Sequence, residues 1–358
     1  MKSIIKRTGL LSLAICLVFL AACSQANDAK APGAPTGSNV NATAADLEAG
    51  DKIIMRMGTP TTNDIQVYEM EQFKTIVEEK IGDKLTVEIY PAGQLGSNAQ
   101  MLQGLQAGTI HALLEPTAFL GGFSSVLNVI DLPYFFDNVW SASEILNTAA
   151  GDKLRSYLEE RGISTASFYP YGDRVILASM PLESIEDFAG KKIRVMGAKV
   201  LQDQFDSWGA SGIPMDVPEL YTALQQNTLD GLETAPTFFE TGKYYEVSKY
   251  LLMEPKGSEV TIFMMNKAWL DSLDEDVRAA ILDAAVEVRA LADEHSKVMQ
   301  QNSIDIMEEA GVTVIEASDA LHEELVARAL SVHEIFLSEN PDAKESYDLL
   351  KEAIAAAK

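Results

Sequence analysis

The chain has 358 residues, and its 53 acidic and 28 basic side chains give it a formal net charge of −25. A surface of this sign repels polyanions, which argues against nucleic acid as a partner, although solubility alone is enough to explain the charge. Both cysteines, Cys16 and Cys23, lie near the N-terminus, so the rest of the chain offers no thiol for catalysis, a disulfide or a metal.

The N-terminal segment has the pattern of a lipoprotein signal peptide. A basic start is followed by an apolar stretch over residues 9–22, which is shorter than the roughly 20 residues that a membrane-spanning helix needs. The stretch ends in Leu-Ala-Ala-Cys, so we predict removal of residues 1–22 and acylation of Cys23. The alternative is an ordinary cleavage site that happens to precede a cysteine. Without residues 1–22 the net charge is near −28.

A tether follows the predicted lipid site. Residues 24–50 are rich in Ala, Gly, Pro, Ser, Thr and Asn, with only Val40 and Leu47 as large apolar residues, so they cannot bury a core. We therefore assign residues 23–51 to a lipidated cysteine and flexible tether. The predicted location is extracytoplasmic, with a membrane contact through the lipid only, at the periplasmic face or the cell surface.

The folded part begins at residue 52 and has the pattern of an α/β protein. Short apolar strands alternate with amphipathic helices, which is typical of mostly parallel sheets. A first helix is predicted to begin at a capping box of Asn63 and Gln66 and to end at Gly82, and a second covers 98–107. The predicted strands are 53–58, 85–90, 112–115, 165–169, 175–178, 193–195, 229–233 and 260–266.

One predicted helix is much longer than the others. Ser272 and Glu275 form a second capping box, and the stretch that follows has no Gly or Pro before Gly311. A helix of this length suits a position across two lobes better than a position inside one. We assign 52–172 plus about 258–300 to lobe I, and 173–257 plus about 301–358 to lobe II and the C-terminal helices.

Catalytic motifs are absent from the sequence. It has no P-loop, no dinucleotide-binding glycine pattern, no nucleophile elbow and no zinc-protease motif. The four histidines are scattered, and His295, His322 and His333 lie in Glu-rich, helix-like surroundings that favour a solvated surface position. We therefore predict that the protein is not an enzyme and has no cofactor or metal site.

Four polar residues lie where ligands of α/β proteins bind, near the ends of strands. Arg194 alternates with apolar neighbours in a short strand, where a buried guanidinium needs an opposite charge from a protein acid or from a ligand. Arg174 follows a Gly-Asp turn and is alternatively an exposed turn residue. Glu115 ends a strand and is alternatively a cap or a structural ion-pair partner. Asn63 is alternatively a helix N-cap.

Several short motifs resemble, in order and spacing, the solute-binding proteins of tripartite ATP-independent periplasmic (TRAP) transporters. Each motif alone is weak, but their agreement is specific and extends over nearly everything from residue 52 to the long helix. The motifs are Gly93–Gly96, Asp131–Tyr134, Gly190–Met196, Glu219–Gln225, Leu229–Gly231 and Phe239–Tyr250.

The resemblance implies a periplasmic binding protein-like fold of type II, with two α/β lobes around a ligand cleft and a long lobe-spanning helix. It implies that Arg194 makes a bidentate salt bridge to a ligand carboxylate and that Arg174 is a second contact. Asn63 and Glu115 match residues of family members that contact the other polar groups of the ligand. The partners it implies are a small organic anion and the TRAP membrane subunits, which use an ion gradient, with the receptor a monomer.

The sequence departs from the family pattern at two positions of the pocket. Thr234 stands where many members have an asparagine that touches the carboxylate, and Val217 stands where sugar-acid binders have a phenylalanine. These departures argue against sialic acid and a metal-bridged 2-oxo acid. An aromatic or amino-acid-derived acid, a C4-dicarboxylate and a sulfonate all remain open.

Three other functions are compatible with parts of the sequence. The same pocket could report to a signalling partner without transport. An extracytoplasmic lyase could use Glu115 with a histidine, but no histidine lies at a predicted strand end. A purely structural surface lipoprotein is the third alternative, and a closed-off cleft would favour it.

Overall fold

Two mixed β-sheets organise the part of the chain that the computed structural model describes, residues 52–62 and 64–358. The predicted signal peptide, Cys23, the tether and Asn63 lie outside the described residues. The strands are β1 Ile53–Gly58, β2 Leu85–Tyr90, β3 Ala112–Pro116, β4 Ile163–Asp173, β5 Val175–Ala178, β6 Lys192–Val195, β7 Ser211–Pro214, β8 Gly231–Thr234, β9 Tyr250–Met253, β10 Ser258–Asn266 and β11 Thr313–Glu316.

Helices pack on both sheets. They are α1 Ile65–Ile81, α2 Asn98–Ala107, α3 Val139–Leu146, α4 Asp152–Glu159, α5 Lys199–Ser207, α6 Val217–Gln225, α7 Pro236–Thr241, α8 Lys267–Ser272, α9 Glu275–Glu309, α10 Asp319–Glu339 and α11 Lys344–Ala356. None of these helices, which are those of the described residues, combines the length and the apolar composition that a membrane crossing requires.

The first sheet has the strand order β2-β1-β3-β10-β4, and the second has the order β11-β9-β5-β8-β6-β7. Five of the nine strand pairings in the described residues are parallel, so the expectation of mostly parallel sheets holds only narrowly. The other four are antiparallel and join β10 to β3 and β4, and β5 to β8 and β9. The chain crosses between the sheets three times, from β4 to β5, from β9 to β10, and along α9 from β10 to β11. Only Arg174 separates β4 of the first sheet from β5 of the second, and residues 254–257 separate β9 from β10.

The long helix α9 contacts both halves of the molecule. Val277, Ile281 and Val288 belong to the core of the first sheet, whereas Ile304 and Met307 pack in the core of the second. The apolar face of α9 therefore extends from the core of the first sheet to the core of the second, as predicted for a lobe-spanning helix. The residue bounds given above for the two lobes remain predictions.

Two helix starts differ from the prediction. Asp64 caps α1, since its carboxylate accepts from the backbone N–H groups of Gln66 (3.0 Å) and Val67 (3.4 Å), whereas Asn63 and Gln66 were predicted to form a capping box. Asp274, rather than Ser272, precedes α9, and the Ser272 hydroxyl instead donates to the Trp269 carbonyl at the end of α8. Neighbouring Ser, Asn and Asp residues are interchangeable capping signals, which explains both shifts.

His333 also differs from the prediction of a solvated surface residue. It is buried on α10, where its Nε2 lies 2.7 Å from the Pro133 carbonyl and its Nδ1 lies 3.2 Å from the Tyr347 hydroxyl. The Glu-rich sequence around it belongs to the other faces of the helix. His333 thus connects α10 to the loop before α3 and lies away from the cleft described next.

Candidate functional site

A cleft lies between loops of the two sheets. Its outer part has a volume of about 400 Å³, and its inner part is a much narrower space of about 10 Å³. The two parts share four lining residues, Pro60, Thr61, Val217 and Phe238. The inner cavity is completed by Pro116, Phe119, Tyr171, Arg194, Met196, Thr234 and Glu259. The cleft is therefore one space that narrows toward Arg194.

Arg194 is the cation of the inner wall. Its side chain is 1% exposed and projects from β6, where its Nε donates to the Met215 carbonyl at 3.0 Å. Its guanidinium carbon lies 5.9 Å from the centre of the Phe238 ring. Within the described residues, its Nη2 has no hydrogen-bond partner and its guanidinium forms no ion pair. The buried charge therefore has hydrogen-bonding capacity left at the cavity.

Arg174 has a different environment from Arg194, although both are fully buried. Its Nη2 donates to Asp131 at 2.8 Å, and its Nη1 lies 3.5 Å from Glu233 and 3.8 Å from Glu259. Burial alone lowers the pKa of Arg174, but the three acids raise the pKa above its ordinary value. The guanidinium thus neutralises protein acids at the junction of β4 and β5, and the lining of the inner cavity does not include it.

A second cation joins this group of charges. The Lys256 ammonium lies 2.7 Å from Glu233 and is fully buried, and burial lowers its pKa to about 8. We call Asp131, Arg174, Glu233, Lys256 and Glu259 the buried charge cluster. Glu233 belongs to β8 and Glu259 to β10, while Arg174 and Lys256 lie in the β4–β5 and β9–β10 connections. The cluster therefore links the two sheets beside the inner cavity, which Glu259 lines.

The other predicted site residues lie at different depths. Thr234 lines the inner cavity, and its hydroxyl donates to Glu259 Oε2 at 2.5 Å; Val217 lines both parts of the cleft. Glu115 is buried in β3 and is not part of the described lining, although the next residue, Pro116, is. The structure therefore brings Arg194, Thr234 and Val217 together and places Arg174 and Glu115 behind the wall.

Glu259 and Tyr171 line the inner cavity and were not predicted from the sequence as site residues. Glu259 is the second residue of β10 and directly precedes the apolar strand predicted at 260–266, so a charge at the start of an apolar strand was an available signal. Tyr171 lies in an aromatic stretch that could equally be core. Its hydroxyl donates to Asp64 at 3.0 Å, and burial raises the pKa of Asp64 to about 6.

The protonation state of the buried Glu115 side chain affects how the stability of the protein depends on pH. Burial raises its pKa to about 8, and its Oε1 has no hydrogen-bond partner among the described residues. The folded protein therefore keeps a proton that the unfolded chain releases above about pH 4.5, so the stability contributed by neutral Glu115 is lost as the pH rises from about 4.5 to 8.

We expect Glu115→Gln to remove this dependence. Relative to the original protein, the variant should gain on the order of 2 kcal/mol of unfolding free energy between pH 5 and pH 8, measured by urea unfolding at several pH values. The exposed Glu323→Gln is the matched control and should keep the original profile. Parallel pH profiles for Glu115→Gln and the original protein would show that Glu115 is ionised in the folded state at pH 7.

Comparisons with known proteins agree with this architecture. The family model of bacterial extracellular solute-binding protein, family 7, matches residues 57–340. The chain is 29% identical to the 2,3-diketo-L-gulonate-binding periplasmic protein YiaO of Escherichia coli (strain K12) over 263 residues, 73% of this chain and 80% of that one. It is 31% identical to the C4-dicarboxylate-binding periplasmic protein DctP of Rhodobacter capsulatus over 243 residues, 68% of this chain and 73% of that one.

A solved structure shows the same fold. The TRAP periplasmic solute-binding protein of Desulfovibrio salexigens, crystallised with bound orotic acid, superposes with a TM-score of 0.82 at 28% identity and covers 85% of this chain and 99% of its own. The fold and the family expected from the sequence are thus confirmed, and the family implies an extracytoplasmic location. The chain belongs to the bacterial extracellular solute-binding proteins of family 7, the solute receptors of TRAP transporters.

Proposed function

We propose that this receptor captures a small organic acid through a salt bridge between the acid's carboxylate and Arg194. The Arg194 Nη2 group, which has no hydrogen-bond partner among the described residues, is the observation that carries the proposal. A buried charge without a partner is very costly, and a ligand carboxylate supplies the missing charge together with two parallel hydrogen bonds. Two relatives are named for binding organic acids, and a third holds orotic acid, which supports an acid as the ligand class.

The other predicted site residues have distinct roles in this proposal. Thr234 and Val217 form part of the wall of the inner cavity around the bound ligand. Asn63 contacts polar groups of the ligand, a role supported by its sequence neighbours Thr62 and Asp64, which line the outer cleft. Glu115 supports that wall from behind as a neutral acid. Arg174 acts on the ligand through its positive charge, while its closest hydrogen bond goes to Asp131.

Delivery completes the proposed function. Closure of the two lobes around the acid would bury it, and the closed receptor would dock on the TRAP membrane subunits as a monomer held by a lipid on Cys23. A micromolar Kd, which corresponds to a binding free energy of about −8 kcal/mol, is sufficient for capture. One bidentate salt bridge together with burial of the ligand can supply this binding free energy.

A thermal-shift screen tests the ligand class. The chain from Ser24 to Lys358 is mixed with carboxylic acids, sulfonates, amino-acid derivatives and neutral sugars. A ligand at a hundred times its Kd should stabilise the protein by about 2.7 kcal/mol, and we expect this only with acids. The exposed Arg161→Gln is the matched control and should respond like the original protein. Stabilisation by neutral sugars alone, or by no compound, would contradict the proposal.

A further inference from the structure

Glu259 is an acid in the wall of a cavity whose cation is Arg194. Both side chains line the inner cavity and both are almost completely buried, at 2% and 1% exposure. They influence each other's charge, yet no ion pair joins them within the described residues. A molecule in this cavity therefore meets both a guanidinium donor and an acid.

The two oxygens of Glu259 are used differently. Its Oε2 accepts the Thr234 hydroxyl at 2.5 Å and lies 3.8 Å from the Arg174 Nη1. Its Oε1 makes no hydrogen bond to another of the described residues. Burial raises the pKa of Glu259 above its ordinary value, while the Arg174 charge and the Thr234 hydroxyl favour the carboxylate. In the ionised form Oε1 is an acceptor that a ligand can use. A ligand N–H or O–H group would satisfy it.

The charge around the cavity limits the charge of the ligand. Arg174, Arg194 and Lys256 are balanced by three acids when Asp131, Glu233 and Glu259 are all ionised. Burial raises the pKa of Asp131 to about 7, so protonation of Asp131 adds at most one positive charge near neutral pH. One ligand carboxylate restores neutrality when Asp131 is protonated. A second carboxylate beside Glu259 would be an unpaired like charge in a site with little water.

We infer that the ligand carries one carboxylate for Arg194 and a hydrogen-bond donor, N–H or O–H, for Glu259, and that Glu259 rejects dicarboxylates. This inference rests on the proposed function, because it takes the carboxylate at Arg194 as given. It narrows the ligand class to amide-, imide-, amine- or hydroxyl-bearing monocarboxylic acids. Specificity of this kind comes from a repulsive group as much as from an attractive one.

Matched pairs of acids isolate the effect of Glu259. Succinate and succinamate have nearly the same shape, as do glutarate and glutaramate, and isophthalate and 3-carbamoylbenzoate. In each pair one carboxylate becomes a carboxamide. Titration calorimetry should show that the original protein binds the half-amide at least tenfold more tightly than the diacid in every pair that binds. Glu259→Gln keeps the size of the side chain and should remove or reverse this preference.

Arg194→Gln separates this inference from the proposed function. It should weaken both members of a pair alike, and unchanged affinity for both would refute the carboxylate anchor and leave the Glu259 preference measurable. Equal or tighter binding of the diacid by the original protein would overturn the inference about Glu259. Retention of the half-amide preference by Glu259→Gln would also overturn the inference about Glu259. If no acid of the three pairs or of the wider screen binds, both proposals fail together.

Discussion

Replacing Arg174 by glutamine is expected to lower the free energy of unfolding by about 3–5 kcal/mol, the usual cost of removing one partner from a buried ion pair. Three acids, Asp131, Glu233 and Glu259, would lose their shared guanidinium while remaining buried. Urea unfolding at pH 7 measures the loss. The variant should also recover part of its stability as the pH falls, because protonation removes the uncompensated charges.

Arg194→Gln is the matched comparison for this prediction. Both arginines are fully buried, but Arg194 has no ion-pair partner among the described residues, so its removal breaks no direct salt bridge. Its replacement should therefore change the unfolding free energy by less than about 1 kcal/mol, or increase it. Equal losses for the two variants would show that burial, rather than ion pairing, determines their contributions to stability.

The second large effect concerns binding. Arg194→Gln is expected to weaken the affinity for the identified acid by at least about 30-fold, which corresponds to the 2 kcal/mol or more that loss of a buried charged partner costs. Arg194→Lys keeps the charge but loses the planar pair of donors, so its affinity should lie between those of the original protein and the glutamine variant. Titration calorimetry with the same acid measures all three.

The control for this experiment is Arg161→Gln, which removes an exposed arginine and should leave the affinity unchanged. If Arg194→Gln retains an affinity within threefold of the original, the carboxylate lies elsewhere in the cleft. Because the stability of Arg194→Gln is expected to be nearly normal, a loss of affinity could not be attributed to unfolding.

Local sequence patterns predicted most of the secondary structure. Period-two and helical patterns are local, and they located β1, β2, β5 and α2 with the bounds that the structure has. The strands β7, β9 and β11, each of four residues, were not predicted. The antiparallel pairings were missed because strand direction depends on how the chain crosses between the sheets.

The candidate site shows what the sequence could not reveal. Arg194 and Arg174 look alike locally, since each begins or interrupts an apolar strand. The structure distinguishes them, because Asp131 is 43 residues from Arg174 in sequence and reaches it only through the fold. Glu259 could have been suspected as a charge at the start of β10, but its place in the same cavity as Arg194 depends on contacts between the two sheets.

A crystal structure of the receptor with the acid identified in the thermal-shift screen tests the central claim most directly. We expect both oxygens of one ligand carboxylate to lie about 2.7–2.9 Å from guanidinium nitrogens of Arg194, the distances of a bidentate charge-assisted pair. Arg174 should remain bonded to Asp131 in that complex. A carboxylate bound in the outer cleft, with the Arg194 guanidinium still without an acidic partner, would contradict the account.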